Sequence, residues 1–443
     1  MAENDFFSFS KSMPAMESLA FRLIGAAYVT QFVIKGRSLP ESLQIITHRL
    51  KVDQAARGAI QDIAYHTMRK LGMARFLLQK LTERPPKPEI LSCLLLCALA
   101  LLIPDDDKTP LRYTPFTVVN QSVNAAISIP KIAKAKGFVN AILRRFLREK
   151  ESLSQQINTN ECAKWNYPAW WINRIKTTYP DHWQSILTVG NLPPPMTLRI
   201  NSRRTSLKSY MALLKTHNIA ADMIGPYAIR LMHPTTVDKI PGFMEGLVSV
   251  QDYAAQLAAP LLNLKDGMRV LDACAAPGGK SAHMLELANI HLTALDSEEK
   301  RLSMIHDNLE RLGLFANIQQ GDATQSDWWD GKLYDCILAD VPCSASGVIR
   351  RHPDIRWLRR PEDSRKLAQL SCQILTNLWP KLKKGGKLLF ATCSIWPEES
   401  TQQAEFFAFT QNAQRLDAFG QLLPTFNGLN DHDGLFYALF QKI

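Results

Sequence analysis

Between residues 12 and 150 the apolar positions recur at helical spacing. Met16, Leu19, Leu23, Ile24 and Ala27 fall on one face. "AIQDIAYHTMRKLGMARFLLQKL" continues the period until "RPPKP" breaks it. "ILSCLLLCALALLI" (90–103) is apolar on every side yet too short to cross a bilayer, which predicts a helix buried in a protein core. Cys93 and Cys97 on that helix are expected to be packed thiols. "GFVNAILRRFLREK" places Phe138, Ile142 and Phe146 on one face and Arg144, Arg145 and Arg148 elsewhere, an amphipathic basic helix. No strand pattern interrupts the region, so residues 1–150 are expected to form an all-α domain.

The pattern then changes. After the breaker "LPPPM", "TLRIN" reads as a short strand, "SLKSYMALLKTHN" as a helix with Leu207, Met211 and Leu214 on one face, and "ADMI" and "AIRLM" as further strands. Strand–helix–strand–strand predicts linker helices and a small α+β domain over 151–240, with "GFMEGLVSVQD" leading out of it. From 241 to 443, "MRVLDACA", "HLTALD", "NIQQGDA", "LYDCILADV" and "GKLLFATC" are apolar strands separated by helical stretches such as "SEEKRLSMIHDNLERLG". That alternation predicts a mostly parallel, doubly covered sheet, with ligands at the carboxyl ends of its strands. Asp272, Cys274, Asp296, Asp322, Asp340, Cys343 and Cys393 all fall at or just past such ends.

Composition narrows the partners. Lys and Arg number 52 against 41 Asp and Glu, a net charge of +11 that favours a polyanion such as nucleic acid. Eight cysteines in 443 residues form no C-x-x-C pair, which argues against a disulfide framework and against structural zinc; no metal is expected. A reducing, cytoplasmic setting fits, and "MAENDFFSFS" lacks the basic and apolar segments of a secretory signal. No membrane association is expected.

"LDACAAPGGKSAHMLEL" reads as strand, Gly-rich turn and helix, a turn that lets a ligand approach backbone N–H groups. A P-loop would need glycine where Cys274 stands, and the dinucleotide pattern G-x-G-x-x-G is absent. A third reading is S-adenosylmethionine, gripped by successive strand ends. Asp296 is placed for ribose hydroxyls and Asp322 for an adenine edge.

"DACAAPGGK", "DVPCSASGVIRRHPDIRWLRR" and "ATCSIWPEES" together resemble the Sun/Fmu family of RNA cytosine-5 methyltransferases, and within it the bacterial enzymes of small-subunit (16S) ribosomal RNA. The resemblance covers nearly the whole chain. It implies a NusB-like RNA-binding domain over 1–150, and a Rossmann-like methyltransferase domain over 241–443 behind the small α+β domain. It implies S-adenosylmethionine contacts from Cys274, Ala275, Ala276, Pro277, Gly278, Gly279, Lys280, Asp296, Asp322 and Asp340. It further implies that Cys393 is the nucleophile and Cys343 assists product release. The family more often has Ala at Val341 and Thr at Ser346.

Two thiols suit that chemistry. Carbon 5 of cytosine becomes nucleophilic only after a thiolate adds at carbon 6, and a second group near carbon 5 helps the adduct collapse. A carboxyl group beside ring N3 would stabilise the adduct, a role that fits Asp340. Pro342-Cys343 alone would nominate Cys343 as nucleophile, the arrangement of DNA cytosine methyltransferases; the second thiol at Cys393 tips the balance toward the RNA class. Cys336 and Cys372, inside a strand and a helix pattern, are expected to be packing residues. Downstream of Cys343, Arg350, Arg351, Arg356 and Trp357 are expected to meet RNA phosphates and a base. The expected substrate is 16S ribosomal RNA before full subunit assembly, with no obligate protein partner. A transfer RNA methyltransferase is the alternative within the class, and a catalytically dead assembly factor the alternative outside it.

Overall fold

The computed structural model describes residues 13–104, 110–426, 428 and 431–443. The first ten residues, read above for a signal, lie outside the described residues. Compactness divides the chain into two units: 1–192 with 349–359, and 193–348 with 360–443.

The first unit is helical. Its helices begin where short polar side chains satisfy free N–H groups: Ser18 accepts from Phe21 N at 3.2 Å, Asp53 from Ala56 N at 2.7 Å and Thr114 from Thr117 N at 3.2 Å. The helix Glu89–Leu102 carries the longest apolar run, and all its residues from Ile90 onward are buried except Ser92. It packs on Leu19–Ile34, which explains why a helix need not be amphipathic at the centre of a bundle. Residue 150 lies within the continuous helix Lys136–Asn158. Among the described residues no helix is long and apolar enough to cross a membrane.

The segment 349–359 belongs to this unit. Leu39 N donates to the Asp354 carboxylate at 2.8 Å, and Trp357 Nε1 donates to Met68 O at 3.1 Å. Arg356 donates to Asn166 O at 3.1 Å and also to Gly190 O and the Asn191 side chain, with its guanidinium over the Tyr167 ring at 3.9 Å.

The second unit holds two sheets. In the smaller, β1 (Met196–Ile200), β2 (Ala221–Met223), β3 (Ala228–Leu231) and β4 (Val248–Val250) run in the order β2-β3-β1-β4, all antiparallel. The expected exit segment thus supplies a strand, β4, to this sheet. The larger sheet contains β5 (Arg269–Asp272), β6 (His291–Asp296), β7 (Asn317–Gln320), β8 (Tyr334–Asp340), β9 (Leu382–Thr392), β10 (Gln414–Leu422) and β11 (Leu435–Gln441). The order is β10-β11-β9-β8-β5-β6-β7, parallel from β9 to β7, with β10 and β11 antiparallel at the other edge. Central strands such as β8 are almost wholly apolar because helices cover both faces. The register sets Asp272 beside Leu338 and Ala294, and Asp340 beside Ala391, so the strand ends form one edge.

Candidate active site

The turn after β5 opens the site. Ala273, Ala275 and Ala276 are buried, and Gly278 takes φ +93°, where a side chain would be strained and a Cβ would stand 3.3 Å from Ile305. The helix Gly279–Leu287 starts at once. Asp296, 2% exposed, accepts from Ala276 N at 3.0 Å, and Arg301 donates to Ala276 O at 2.8 Å. An acid at the end of β6 thereby holds the neighbouring turn in shape. Asp322 is exposed two residues past β7, its carboxylate accepting from Thr324 N at 2.8 Å. Asp272 is buried: Ser281 donates to one oxygen at 2.6 Å, and the other has no partner among the described residues. Burial first, and the charge of Asp340 with it, push the Asp272 carboxyl up to about 7 against the pull of that hydrogen bond.

Asp340 closes β8, and Lys280 donates to it at 2.5 Å. Burial alone would lower the lysine, but the charge and hydrogen bond of Asp340 outweigh it and raise Lys280 above its ordinary value, with Cys393 adding a smaller effect. The two residues were expected separately in the cofactor site; their direct pairing is new.

Cys343 and Cys393 leave adjacent strands, β8 and β9, and their sulfurs stand 3.3 Å apart, both half-buried. The hydrogen bond to Cys393 first, then burial and the nearby charges of Cys393 and Glu399, hold the Cys343 thiol well above its ordinary value. Two adjoining sulfurs resist double ionisation.

The loops that carry the thiols are tied together. Gly347 N donates to Cys393 O at 2.8 Å, and Ile395 N to the Ser346 hydroxyl at 2.9 Å. Glu399, 1% exposed, accepts from Ser344 N at 2.7 Å, Ser344 Oγ at 2.5 Å and Ser394 Oγ at 2.6 Å. Glu399 was not singled out by the sequence; residues Pro397–Glu399 form a 3-10 turn, with the helix following at Thr401–Gln411.

Arg199 was missed as well. Fully buried on β1, it pairs with both oxygens of Glu286 at 2.8 and 2.7 Å and donates to Gly279 O at 2.8 Å. The small sheet thus anchors the first turn of the helix that follows the Gly-rich loop.

The basic segment needs correction. Arg350 is 1% exposed and Arg356 not at all, and the hydrogen bonds of Arg356 go to carbonyls and Asn191 of the helical unit. Arg75 stacks on the Trp357 ring at 5.4 Å, and Arg351 is half-buried. The Arg356 guanidinium, fully buried and already serving carbonyls, does not reach a phosphate, and the buried Arg350 lies with it in the helical unit. The exposed cations of this stretch are Arg360, Arg365 and Lys366.

Comparison with known proteins finds three consecutive matches along the chain. The sequence profile of 16S rRNA methyltransferase RsmB/F matches 259–441, a Methyltr_RsmF/B-like ferredoxin-like domain matches 167–238, and the NusB family matches 19–148. Ribosomal RNA small subunit methyltransferase B of Proteus mirabilis is 40% identical over 96% of this chain and 99% of that protein. The protein of the same name from Yersinia enterocolitica is also 40% identical, over 95% of this chain and 98% of its own length. The crystal structure of PH0851 superposes with a TM-score of 0.76 at 21% identity, covering 98% of this chain and all (100%) of that one. NSun6 from Pyrococcus horikoshii, solved with SFG, gives a TM-score of 0.56 at 17% identity, over 62% of this chain and 98% of its own. These two likenesses speak to the fold.

Proposed function

Because the chain belongs to the ribosomal RNA small subunit methyltransferase B family, we propose that it methylates carbon 5 of a cytidine in 16S ribosomal RNA, through a covalent bond from Cys393 to carbon 6 of the base. The observation that carries the reading is the 3.3 Å approach of two sulfurs from separate strand-end loops beside the Lys280–Asp340 pair. S-adenosylmethionine supplies an electrophilic methyl group when bound. The strand edge fits such a cofactor: Gly278 lets the turn bend at φ +93°, Asp296 and Asp322 bring carboxylates to it, and Asp272 keeps a buried oxygen without a donor.

The residues then divide the work. Cys343 retains its proton and Cys393 attacks carbon 6, with Lys280 supplying positive charge within electrostatic reach of its sulfur. Asp340 faces the N3 side of the base and stabilises the adduct. After methyl transfer the Cys393 sulfur is a neutral thioether, so Cys343 can release its proton to solvent and, as thiolate, take the carbon 5 proton; the electrons of that C–H bond restore the carbon 5–carbon 6 double bond as the bond from Cys393 to carbon 6 breaks and Cys393 leaves as thiolate. A base must leave its stack to be reached, and Arg360, Arg365 and Lys366 are the exposed cations that meet the surrounding phosphates. The protein acts in the cytoplasm on RNA not yet fully assembled into the subunit, without an obligate protein partner.

The test is methyl transfer from labelled cofactor to total RNA, followed by size separation and bisulfite sequencing. The expected result is 5-methylcytosine at one position of 16S RNA. Label confined to transfer RNA overturns the substrate, and cofactor binding without transfer overturns the enzyme.

A further inference from the structure

One carboxylate holds both thiol loops. The residue after each cysteine is a serine, Ser344 after Cys343 and Ser394 after Cys393. Both serine hydroxyls donate to the same Glu399 oxygen, at 2.5 and 2.6 Å, while the other oxygen takes Ser344 N at 2.7 Å. Ser346 completes the cluster, with its hydroxyl 3.0 Å from that of Ser394. Ser344, Ser346, Ser394 and Glu399 are all 3% exposed or less. A carboxylate that deep in the protein persists where donors surround it, and here the donors come from the two loops whose separation fixes the distance between the sulfurs.

We propose that Glu399 is a positioning residue for the two-thiol reaction: by accepting from Ser344 and Ser394 together, it sets the relative placement of Cys343 and Cys393. The inference rests on the covalent reading given above. Glu399 touches neither cofactor nor base in this role and acts through the two serines. Its charge adds a second effect, since a negative group behind Cys343 opposes a second thiolate there.

The experiment compares Glu399→Ala, Glu399→Gln and the double variant Ser344→Ala/Ser394→Ala in the full chain. Turnover, RNA KM, cofactor affinity by calorimetry, and denaturation-resistant protein–RNA adduct are measured on each. Glu399→Ala is expected to lower kcat about 100-fold, the scale of an ångström of misplacement, with KM and cofactor affinity within about threefold. Glu399→Gln keeps the shape and an acceptor for Ser344 N, and the serine hydroxyls can turn to accept from its amide, so it should recover about tenfold of that loss. The double serine variant, which removes no charge, covers the case in which Glu399→Ala does not fold, and should lose about tenfold in kcat. The inference is overturned if folded Glu399→Ala or the serine variant turns over within about twofold of wild type, or if cofactor affinity falls as far as kcat. Failure of the covalent reading looks different, because the wild-type protein itself would then form no adduct and no 5-methylcytosine.

Discussion

Two pairs of thiols stand in two regions of the molecule. Cys93 and Cys97 are neighbours on one helix, fully buried in the apolar bundle. Cys343 and Cys393 are fifty residues apart and meet at the edge of a sheet, half-buried. Burial pushes Cys97 up to about 11, and burial, helped by Cys97 and Glu89, pushes Cys93 well above its ordinary value. Cys343 is also pushed up, but first by its partner sulfur and only then by burial. The helix pair is enclosed by apolar side chains. In the strand-end pair each sulfur is itself part of the other's surroundings. Nearness in sequence says little about thiol chemistry; what surrounds the sulfurs decides it.

The comparison breaks most visibly at Cys393. Cys393→Ser should lower turnover by at least about 10⁴-fold and form no RNA adduct, because a serine hydroxyl is a far weaker nucleophile near neutral pH. Cys343→Ser should still attack and transfer, then stall as a denaturation-resistant adduct, visible on a gel with labelled RNA. Adduct in the first variant and none in the second would reverse the roles.

The strand edge should also reveal itself through pH. Asp272 binds its proton more tightly when folded, at about 7, than when unfolded, near 3.8. Its contribution is therefore complete below about pH 4 and is lost as pH rises through 7, a change of order a few kcal/mol in the cofactor-free protein. Asp272→Asn should flatten that slope in urea unfolding at pH 5 and pH 8. An unchanged slope would show that the buried acid is not the source.

Smaller effects sharpen the contrast. Asp296→Ala removes a buried acceptor from the Gly-rich turn and should weaken S-adenosylmethionine binding by about 1–3 kcal/mol, read by calorimetry. Cys97→Ser in the helix should cost about 1–2 kcal/mol of stability and leave turnover per folded molecule unchanged. Under native conditions iodoacetamide should modify the strand-end pair and spare Cys93 and Cys97; peptide mapping that finds the reverse would undo the comparison.

Much of this arrangement was legible in the sequence. Period and breakers marked the bundle and the alternating strands, and the strand ends located Asp272, Asp296, Asp340, Cys343 and Cys393. What escaped was pairing over long distance. Arginines are exposed by default, so a run containing Arg350, Arg356 and Trp357 reads as a solvated basic surface. Nothing local says that Arg356 meets Asn166, 190 positions away, or that Trp357 reaches Met68, 289 positions away. Glu399 escaped for the same reason: one of its serines is close in the chain, but the other is 55 residues distant. A periodicity describes one element at a time, whereas a clamp is a relation between two.

The membership of residues 349–359 in the helical unit has a consequence for biosynthesis. On the ribosome, the helices through residue 192 emerge first, but the amide of Leu39 and the carbonyls of Met68, Asn166 and Gly190 have no downstream partners until 349–359 follows. At about 5–20 residues per second, translating the intervening 193–348 takes on the order of ten seconds or more. The nascent bundle must wait that long with these polar groups turned to solvent or to chaperones. A chain released anywhere in that interval lacks the segment that supplies these partners, so the first unit is completed only after the Cys343 loop has been made.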